Sequence, residues 1–196
     1  MAKNDKNRKL SDLLAEADAV ARNAQQVFGN LTPQQINWQP GERQWSVGQC
    51  FDHLITANRA YFPIFEKIIK GEKKNSLWER MPLVPGFFGR LLIKALQPEA
   101  TRKLKAPQVF QPSSSAIDGD IINRFIEQQN ELTRFMRATA GMDLQKIIIT
   151  SPVSSLVTYN LMDCYDILIT HEKRHFMQAE RILGTPGFPA FAERKF

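Results

Sequence analysis

The stretch NLMDCYDILITHEKRHFMQAERIL, residues 160–183, decides which fold this chain is expected to adopt. It has room for about six turns of α-helix, and Gly184 and Pro186, which follow it, are typical of a helix end. A helix of this length in a globular protein buries one face against other helices. We therefore expect partner helices of similar length elsewhere in the chain.

Three further segments repeat apolar residues at the spacing of an α-helix. They are residues 11–28, 46–70 and 115–140. Ser11 is the expected N-cap of the first segment, and Ser46 with Gln49 forms a capping-box pattern at the start of the second. Pro63 lies inside the second segment and should kink or split that helix. Because strand signals are nearly absent, the sequence predicts an all-α fold, a four-helix bundle.

A long connection, residues 72–112, separates the second predicted helix from the third. A structureless loop of that length is uncommon in a compact domain, and PGFFGRLLIKAL, residues 85–96, has the pattern of a short extra helix with one apolar side. This helix would be a lid, a contact between two copies of the chain, or a helix on a membrane surface. Residues 142–158 are expected to form a brief strand or a loop on the core.

The composition is that of a soluble globular protein. The chain has 196 residues, of which 43% are hydrophobic and 23% charged, and this length suits one domain over residues 1–196. Two cysteines cannot build a disulfide framework, so the cytoplasm is the expected location. The chain lacks an apolar run of about 18 residues that would span a membrane, and residues 1–10 lack the apolar stretch of a secretory signal.

The positive charge is concentrated in two segments. The net charge is +6, and residues 1–10, an expected flexible N-terminus, carry four basic residues against one acidic residue. Residues 67–105 carry ten basic residues against three acidic ones. A basic segment attracts nucleic acid, anionic lipid or anionic small molecules. The charge is modest and no nucleic-acid motif accompanies it, so a solvated surface is favoured and a nucleic-acid partner is not expected.

The three histidines of the chain have a spacing that suits a metal site. His171 and His175 are four residues apart on the last predicted helix, which places both imidazoles on one helix face. His53 lies on the second predicted helix and would supply a third ligand if the two helices face each other. The alternative is three unrelated histidines, and the residues alone leave these two interpretations about equally weighted.

The letters HEKRH, residues 171–175, also match the zinc-peptidase motif, in which the glutamate acts as general base. That motif usually has a third ligand further along the chain, and no histidine follows His175. Glu180 lies five residues past His175, off the shared helix face. A peptidase is therefore disfavoured.

Six residues near the histidines are candidates to line a pocket or to orient a ligand. They are Gln49, Gln178, Cys50, Cys164, Asn58 and Tyr61. The two glutamines each lie about one turn from a histidine and could orient its imidazole through a hydrogen bond. Gln49 could equally serve the capping box alone. The cysteines are more often simple core residues than catalytic ones. Asn58 and Tyr61 follow His53 on its helix and are candidates to reach a substrate.

Three segments of the chain together resemble one known family. INWQPGERQWSVGQCFDHL, residues 36–54, is similar to a family segment with Trp, Pro, Gly and Trp-Ser before a helix that ends in His-Leu. HEKRHFMQAERIL, residues 171–183, is similar to the family's last helix, in which His-x-x-x-His precedes Gln and an Ile-Leu pair. KAPQVFQP, residues 105–112, resembles a Pro-bounded segment found in part of the group. The family is the DinB-like (DinB/YfiT) superfamily of helical-bundle metalloenzymes.

This resemblance implies a four-helix bundle with one divalent metal ion held by His53, His171 and His175. It also implies that Glu172 flanks the site and is not a base. Characterised members include thiol-dependent S-transferases and isomerases that use low-molecular-weight thiols. The resemblance therefore implies a metal-dependent enzyme that acts on a small molecule, with a thiol transferase as the expected activity.

The expected site has the form of a catalytic metal centre. Three neutral imidazoles leave a dication at least one open position, whereas structural zinc sites are usually closed by four ligands. The ion could activate a water molecule, as in a hydrolase, or hold a thiol as thiolate. The residues alone leave both open, and the resemblance favours the thiol. Zinc or nickel is the expected metal, a homodimer is a reasonable expectation, and a non-catalytic binding module with a basic surface over 67–105 is a further alternative.

Overall fold

The polypeptide forms a bundle of helices with one small β-hairpin. The structure, a computed structural model, describes residues 9–42, 44–80, 91–94, 96, 111 and 116–190. The elements in chain order are α1 (Leu10–Phe28), α2 (Pro33–Asn37), α3 (Val47–Arg59), α4 (Phe62–Ile69), a 3-10 turn (Trp78–Arg80), α5 (Ile121–Ala138), β1 (Ile148–Ser151), β2 (Ser154–Asn160) and α6 (Leu161–Leu183).

The four long helices α1, α3, α5 and α6 pack side by side. Both α1 and α3 contact α5 as well as α6, while α2 packs on α3 and α4 packs on α5. This arrangement confirms the predicted four-helix bundle. Within the described part of the chain, no helix is long and apolar enough to cross a membrane.

The observed second and last long segments of helix lie close to their predicted positions. Asn160 caps α6, because its Oδ1 accepts a hydrogen bond from the backbone N–H of Asp163 at 2.7 Å. The second predicted helix is split in two: α3 ends at Arg59, and α4 begins at Phe62 with Pro63 in its first turn. The split follows from the ring of Pro63, which cannot continue a helical hydrogen-bond ladder.

The first helix starts before its predicted cap. α1 begins at Leu10 with Lys9 at the N-cap position, so the prediction of Ser11 as N-cap was wrong. The carboxylate of Asp12 accepts the backbone N–H of Lys9 at 3.1 Å, which supports the first turn from inside the helix. Negative charge is favourable at this end of a helix.

The third long helix starts later than predicted. α5 begins at Ile121, not near Ser115, because the chain before it is tied to α2. The backbone N–H of Ile117 donates to Asn37 Oδ1 at 2.6 Å, and Asn37 Nδ2 donates to the Ile117 carbonyl at 2.8 Å. This exchange uses backbone groups that a helix would otherwise pair internally.

The connection and the segment at 142–158 are ordered in part. Strands β1 and β2 form an antiparallel hairpin that leads directly into α6, so the strand alternative holds for this segment. Residues 91–94 are helical, and Leu92, Ile93 and Leu96 pack against the core, which supports the short extra helix there. Residues 85–90 and most of the connection lie outside the described residues, as do residues 1–8 of the basic N-terminus.

The interior consists of two apolar clusters separated along the bundle by a layer of polar side chains. The cluster at the hairpin end includes Tyr61, Leu132 and Ile169, and the cluster at the other end includes Phe51, Phe125 and Ala179. Between these clusters, α3, α5 and α6 each contribute buried polar residues. We call this set the polar layer: Asn58, Gln128, Gln129 and Glu172, exposed by 2% or less.

Candidate metal centre

The three histidines meet beside the polar layer, which is the arrangement that the family resemblance implies and one of the two that the residues alone left open. His53 comes from α3, and His171 and His175 come from one face of α6. Their ring centroids lie 4.9, 4.6 and 4.7 Å apart, a nearly equilateral triangle. One ring nitrogen from each lies within 4.8 Å of the others. The helix spacing brings the α6 pair together, and the contact between α3 and α6 brings in His53.

The separations suit a common metal ion. His53 Nε2 and His171 Nε2 are 3.1 Å apart, and two imidazole nitrogens on one tetrahedral zinc ion stand about 3.3 Å apart, given bonds of about 2.0–2.1 Å. Nδ1 of His175 is buried and has no hydrogen-bond partner among the described residues. A buried nitrogen without a donor or acceptor is costly unless it binds something. The cluster therefore could hold a metal ion.

Burial keeps the imidazoles of His171 and His175 neutral. The pKa of His171 lies well below its usual value because of burial and the neighbouring His175 and His53. Burial, with His53 and Arg174 nearby, lowers the pKa of His175 to about 3, and the Gln178 side chain acts in the opposite direction. Neutral imidazole is the form that binds metals, so ion binding near neutral pH requires little proton release.

Trp45, which precedes the N-cap residue of α3, contacts two of the histidines. The Trp45 indole stacks on the His175 ring with centroids 5.5 Å apart and planes 22° apart. It also lies 5.0 Å from the His53 ring. Trp38, by contrast, packs edge-on against Phe188 at 5.5 Å, away from the histidines. Trp45 thus forms an aromatic wall of the site, and its place just before the N-cap of α3 was the available signal.

The hydrogen bonds of Glu172 do not suit a general base at the histidines. Its carboxylate is fully buried, and Oε1 accepts hydrogen bonds from Asn58 Nδ2 at 2.6 Å and from Gln129 Nε2 at 2.5 Å. Burial raises its pKa to about 7, while the hydrogen bonds from Gln129 and Asn58 lower it. This geometry agrees with a flanking role and does not support the zinc-peptidase assignment.

The polar layer lowers the stability of the fold, because some of its buried polar atoms have no hydrogen-bond partner among the described residues. Oε2 of Glu172, Oδ1 of Asn58 and Oε1 of Gln129 lack hydrogen-bond partners among the described residues. Each unpaired buried group costs about 1–3 kcal/mol, and an apolar layer of similar volume is often as stable or more so.

Three other candidate residues, Gln49, Tyr61 and Gln178, lie in different parts of the bundle. Gln49 Oε1 accepts from the backbone N–H of Ser46 at 3.0 Å and from Gln39 Nε2 at 2.8 Å, which completes the capping box of α3. Tyr61 and Tyr159 share a hydrogen bond of 2.6 Å between hydroxyls in the hairpin-end cluster. Gln178 is partly buried, one turn after His175.

The two cysteines lie in opposite halves of the core. Cys50 is 1% exposed in the cluster that contains Phe51, and Cys164 is fully buried in the cluster that contains Tyr61. Burial raises the pKa of both thiols. Because a thiol reacts as thiolate, neither side chain is suited to act as a nucleophile.

Comparisons with known proteins identify the family. No curated protein and no solved structure matches the chain. The model of the DinB superfamily matches residues 16–179, a range that contains all three histidines, Trp45 and the polar layer. The resemblance drawn from the sequence is thereby confirmed, and the chain belongs to the DinB superfamily.

Proposed function

We propose that this protein binds one divalent metal ion through His53, His171 and His175 and is a metal-dependent enzyme. The observation that carries the proposal is the convergence of three imidazoles, two of them 3.1 Å apart, in a site bordered by Trp45. Uncharged nitrogen ligands suit zinc, nickel, copper or iron. We expect zinc or nickel.

The proposed activity is transfer of a low-molecular-weight thiol to an electrophilic small molecule. When bound, a divalent ion would supply positive charge that favours the deprotonated form of a thiol. The thiol would come from a cosubstrate, because Cys50 and Cys164 are buried and their pKa values are raised. In the transfer, the thiol S–H bond and the bond from the electrophilic carbon to its leaving group break, a sulfur–carbon bond forms, and the proton and the leaving group, which keeps the bonding electron pair, pass to solvent.

The residues of the chain would have distinct tasks in this activity. The three imidazoles would hold the ion, and the indole of Trp45 would cover one side of the site and offer an apolar surface to a substrate. Gln178, whose side chain raises the pKa of His175, would orient that imidazole. Glu172 would not act as base, because its carboxylate is committed to Asn58 and Gln129, so hydrolysis in the manner of a zinc peptidase is disfavoured.

The proposal is tested by a conjugation assay with untagged protein. Protein loaded with zinc or nickel is incubated with a panel of small thiols and electrophiles, and loss of free thiol and formation of thioether are followed. We expect turnover that needs both metal and thiol and that falls at least about 100-fold in His171→Ala. The matched control is Tyr165→Phe, which removes a buried hydrogen bond to Thr139, 3.0 Å long, elsewhere in the bundle.

Two outcomes would contradict the proposed activity. A metal-loaded protein inert across the panel counts against thiol transfer. Turnover of ester, amide or phosphoester substrates without thiol would assign a hydrolase instead. The homodimer remains a prediction, to be checked by light scattering on the same preparation.

A further inference from the structure

One buried hydrogen-bond arrangement joins the two helices that carry the histidines. The Oε1 atom of Glu172, on α6, accepts from Asn58 on α3 at 2.6 Å and from Gln129 on α5 at 2.5 Å. All three side chains are exposed by 1% or less. Three of the four long helices are thus joined at a single oxygen atom.

This junction lies close to the metal-ligand candidates along both helices. Glu172 is the residue after His171 on α6, and Asn58 follows His53 by five residues on α3. A residue advances about 1.5 Å along a helix, whereas metal–nitrogen bonds tolerate only about 0.2 Å. A small slide of α3 against α6 would therefore separate His53 from the α6 pair.

We propose that Glu172 is a positioning residue of the three-histidine site: its hydrogen bond with Asn58 fixes α6 against α3 at the register that lets His53 and His171 bind one ion. The inference rests on the proposed metal binding. Gln129 holds the same oxygen from α5, which carries none of the three histidines, so its hydrogen bond orients the carboxylate without joining the ligand-bearing helices.

The two hydrogen bonds to Glu172 show why a hydrogen-bond acceptor is needed at position 172. One oxygen receives N–H groups from two directions, which a leucine of similar volume could not do. A glutamine could still accept both through its amide oxygen. Its amide N–H₂ could in addition donate to Asn58 Oδ1 or Gln129 Oε1, both of which lack partners among the described residues.

The test compares two alanine variants that each remove one hydrogen bond to Oε1 of Glu172. Asn58→Ala also removes the hydrogen bond from Asn58 Nδ2 to Gln128 Oε1, 3.4 Å long, which joins α3 to α5 and not to α6. Zinc affinity of Asn58→Ala, Gln129→Ala, Glu172→Gln and wild-type protein is measured by competition with a chromophoric chelator. Absorption of the cobalt-substituted proteins reports the ligand geometry. Apo-protein melting temperatures are recorded beside them, with Tyr165→Phe as the variant that lacks a remote buried hydrogen bond.

The proposal predicts unequal effects. Asn58→Ala should weaken zinc binding by about 10–100-fold and alter the cobalt spectrum, as outer-shell substitutions do. Gln129→Ala should weaken it by no more than about threefold, and Glu172→Gln should bind zinc within about threefold of wild type, because both keep the junction between α3 and α6. Tyr165→Phe should melt earlier with unchanged zinc affinity.

Equal zinc affinities for Asn58→Ala and Gln129→Ala would overturn the inference, since removing either bond would then amount to a general loss of packing. Loss of binding in Glu172→Gln as severe as in Asn58→Ala would also overturn it, because charge rather than register would be the cause. If Asn58→Ala does not fold, the comparison rests on Asn58→Ser, for which the same inequality is expected. Wild-type protein that binds no ion would instead contradict the proposed function, and it is measured first.

Discussion

His53 Nε2 lies 3.1 Å from His171 Nε2, although 118 residues separate the two histidines in the chain. The helices that carry them pack directly against each other. Because the His171 imidazole is held neutral, the pair avoids the repulsion that two imidazolium ions would feel at this distance. This pair, with His175 completing the triangle, is the structural basis of the metal-binding account.

Trp45 should report metal binding through its fluorescence. Its indole stacks on His175 and lies 5.0 Å from His53, so Ni²⁺ or Cu²⁺ at the histidines would quench its emission on contact. Titration of the apo-protein should give saturable quenching, and Trp45→Phe should abolish most of it while the protein still binds metal. Trp38→Phe, at a residue packed on Phe188, should keep the quenching. Quenching lost in Trp38→Phe but kept in Trp45→Phe would contradict this geometry.

The apo-protein should lose stability on acidification because His171 and His175 are held neutral in the folded protein. The pKa of His175 is about 3 in the folded protein against 6.5 ordinarily, and that of His171 is shifted the same way. The unfolded chain binds more protons in this window, so stability is fully present above about pH 6.5 and falls as pH decreases toward 3.

This pH effect is best measured in the Glu172→Gln background. Glu172 has a raised pKa, about 7, so its contribution to stability declines as pH rises and partly masks the histidine effect. Urea unfolding in chelator, between about pH 7.5 and about pH 4.5, should show a smaller slope when His175→Gln is added. Identical slopes with and without His175 would show that this imidazole is not held neutral.

The two cysteines should be inert in the folded protein. Cys50 and Cys164 are exposed by 1% or less, and burial raises the pKa of each thiol. A thiol-reactive disulfide reagent should therefore modify them slower by on the order of 100-fold or more than in urea-unfolded protein. Rapid modification of either thiol in the folded protein would reopen a nucleophilic role for that cysteine.

Gly48 should tolerate no side chain. A Cβ at this position would lie 2.8 Å from Cγ2 of Ile36 and 2.9 Å from Cβ of Ile117, whereas one at Gly141 would meet nothing within 4 Å. Gly48→Ala should cost about 1–3 kcal/mol of unfolding free energy, because overpacking outweighs the gain in helix propensity. Gly141→Ala should stay within about 1 kcal/mol of wild type. Equal stabilities of the two variants would argue against the close approach at Gly48.

The elements governed by local pattern were predictable from the sequence. Apolar spacing located all four long helices, and Pro63 located the break between α3 and α4. The i, i+4 spacing of His171 and His175 indicated a shared helix face. The residues alone did not decide whether His53 joins this pair, because that requires the helix of His53 to face α6. The family resemblance implied that it does.

The features that depend on tertiary contact were missed. The late start of α5 follows from hydrogen bonds between Asn37 and Ile117, 80 residues apart. The junction of Glu172 with Asn58 and Gln129 likewise requires three helices at one level of the bundle. A sign of it was available, since the apolar stripe of α5 is interrupted between Ile126 and Leu132, where the two glutamines stand. The sequence alone, however, does not show which residues of the other helices these glutamines contact.

Metal content tests the central claim most directly. Untagged wild-type protein, His171→Ala and Tyr165→Phe are reconstituted with zinc or with nickel, freed of excess ion by gel filtration and analysed by elemental analysis. The account predicts about one ion per chain in wild type and in Tyr165→Phe, and its loss in His171→Ala. A wild-type protein that retains no ion, or a His171→Ala variant that retains as much as wild type, would contradict a metal site on the three histidines.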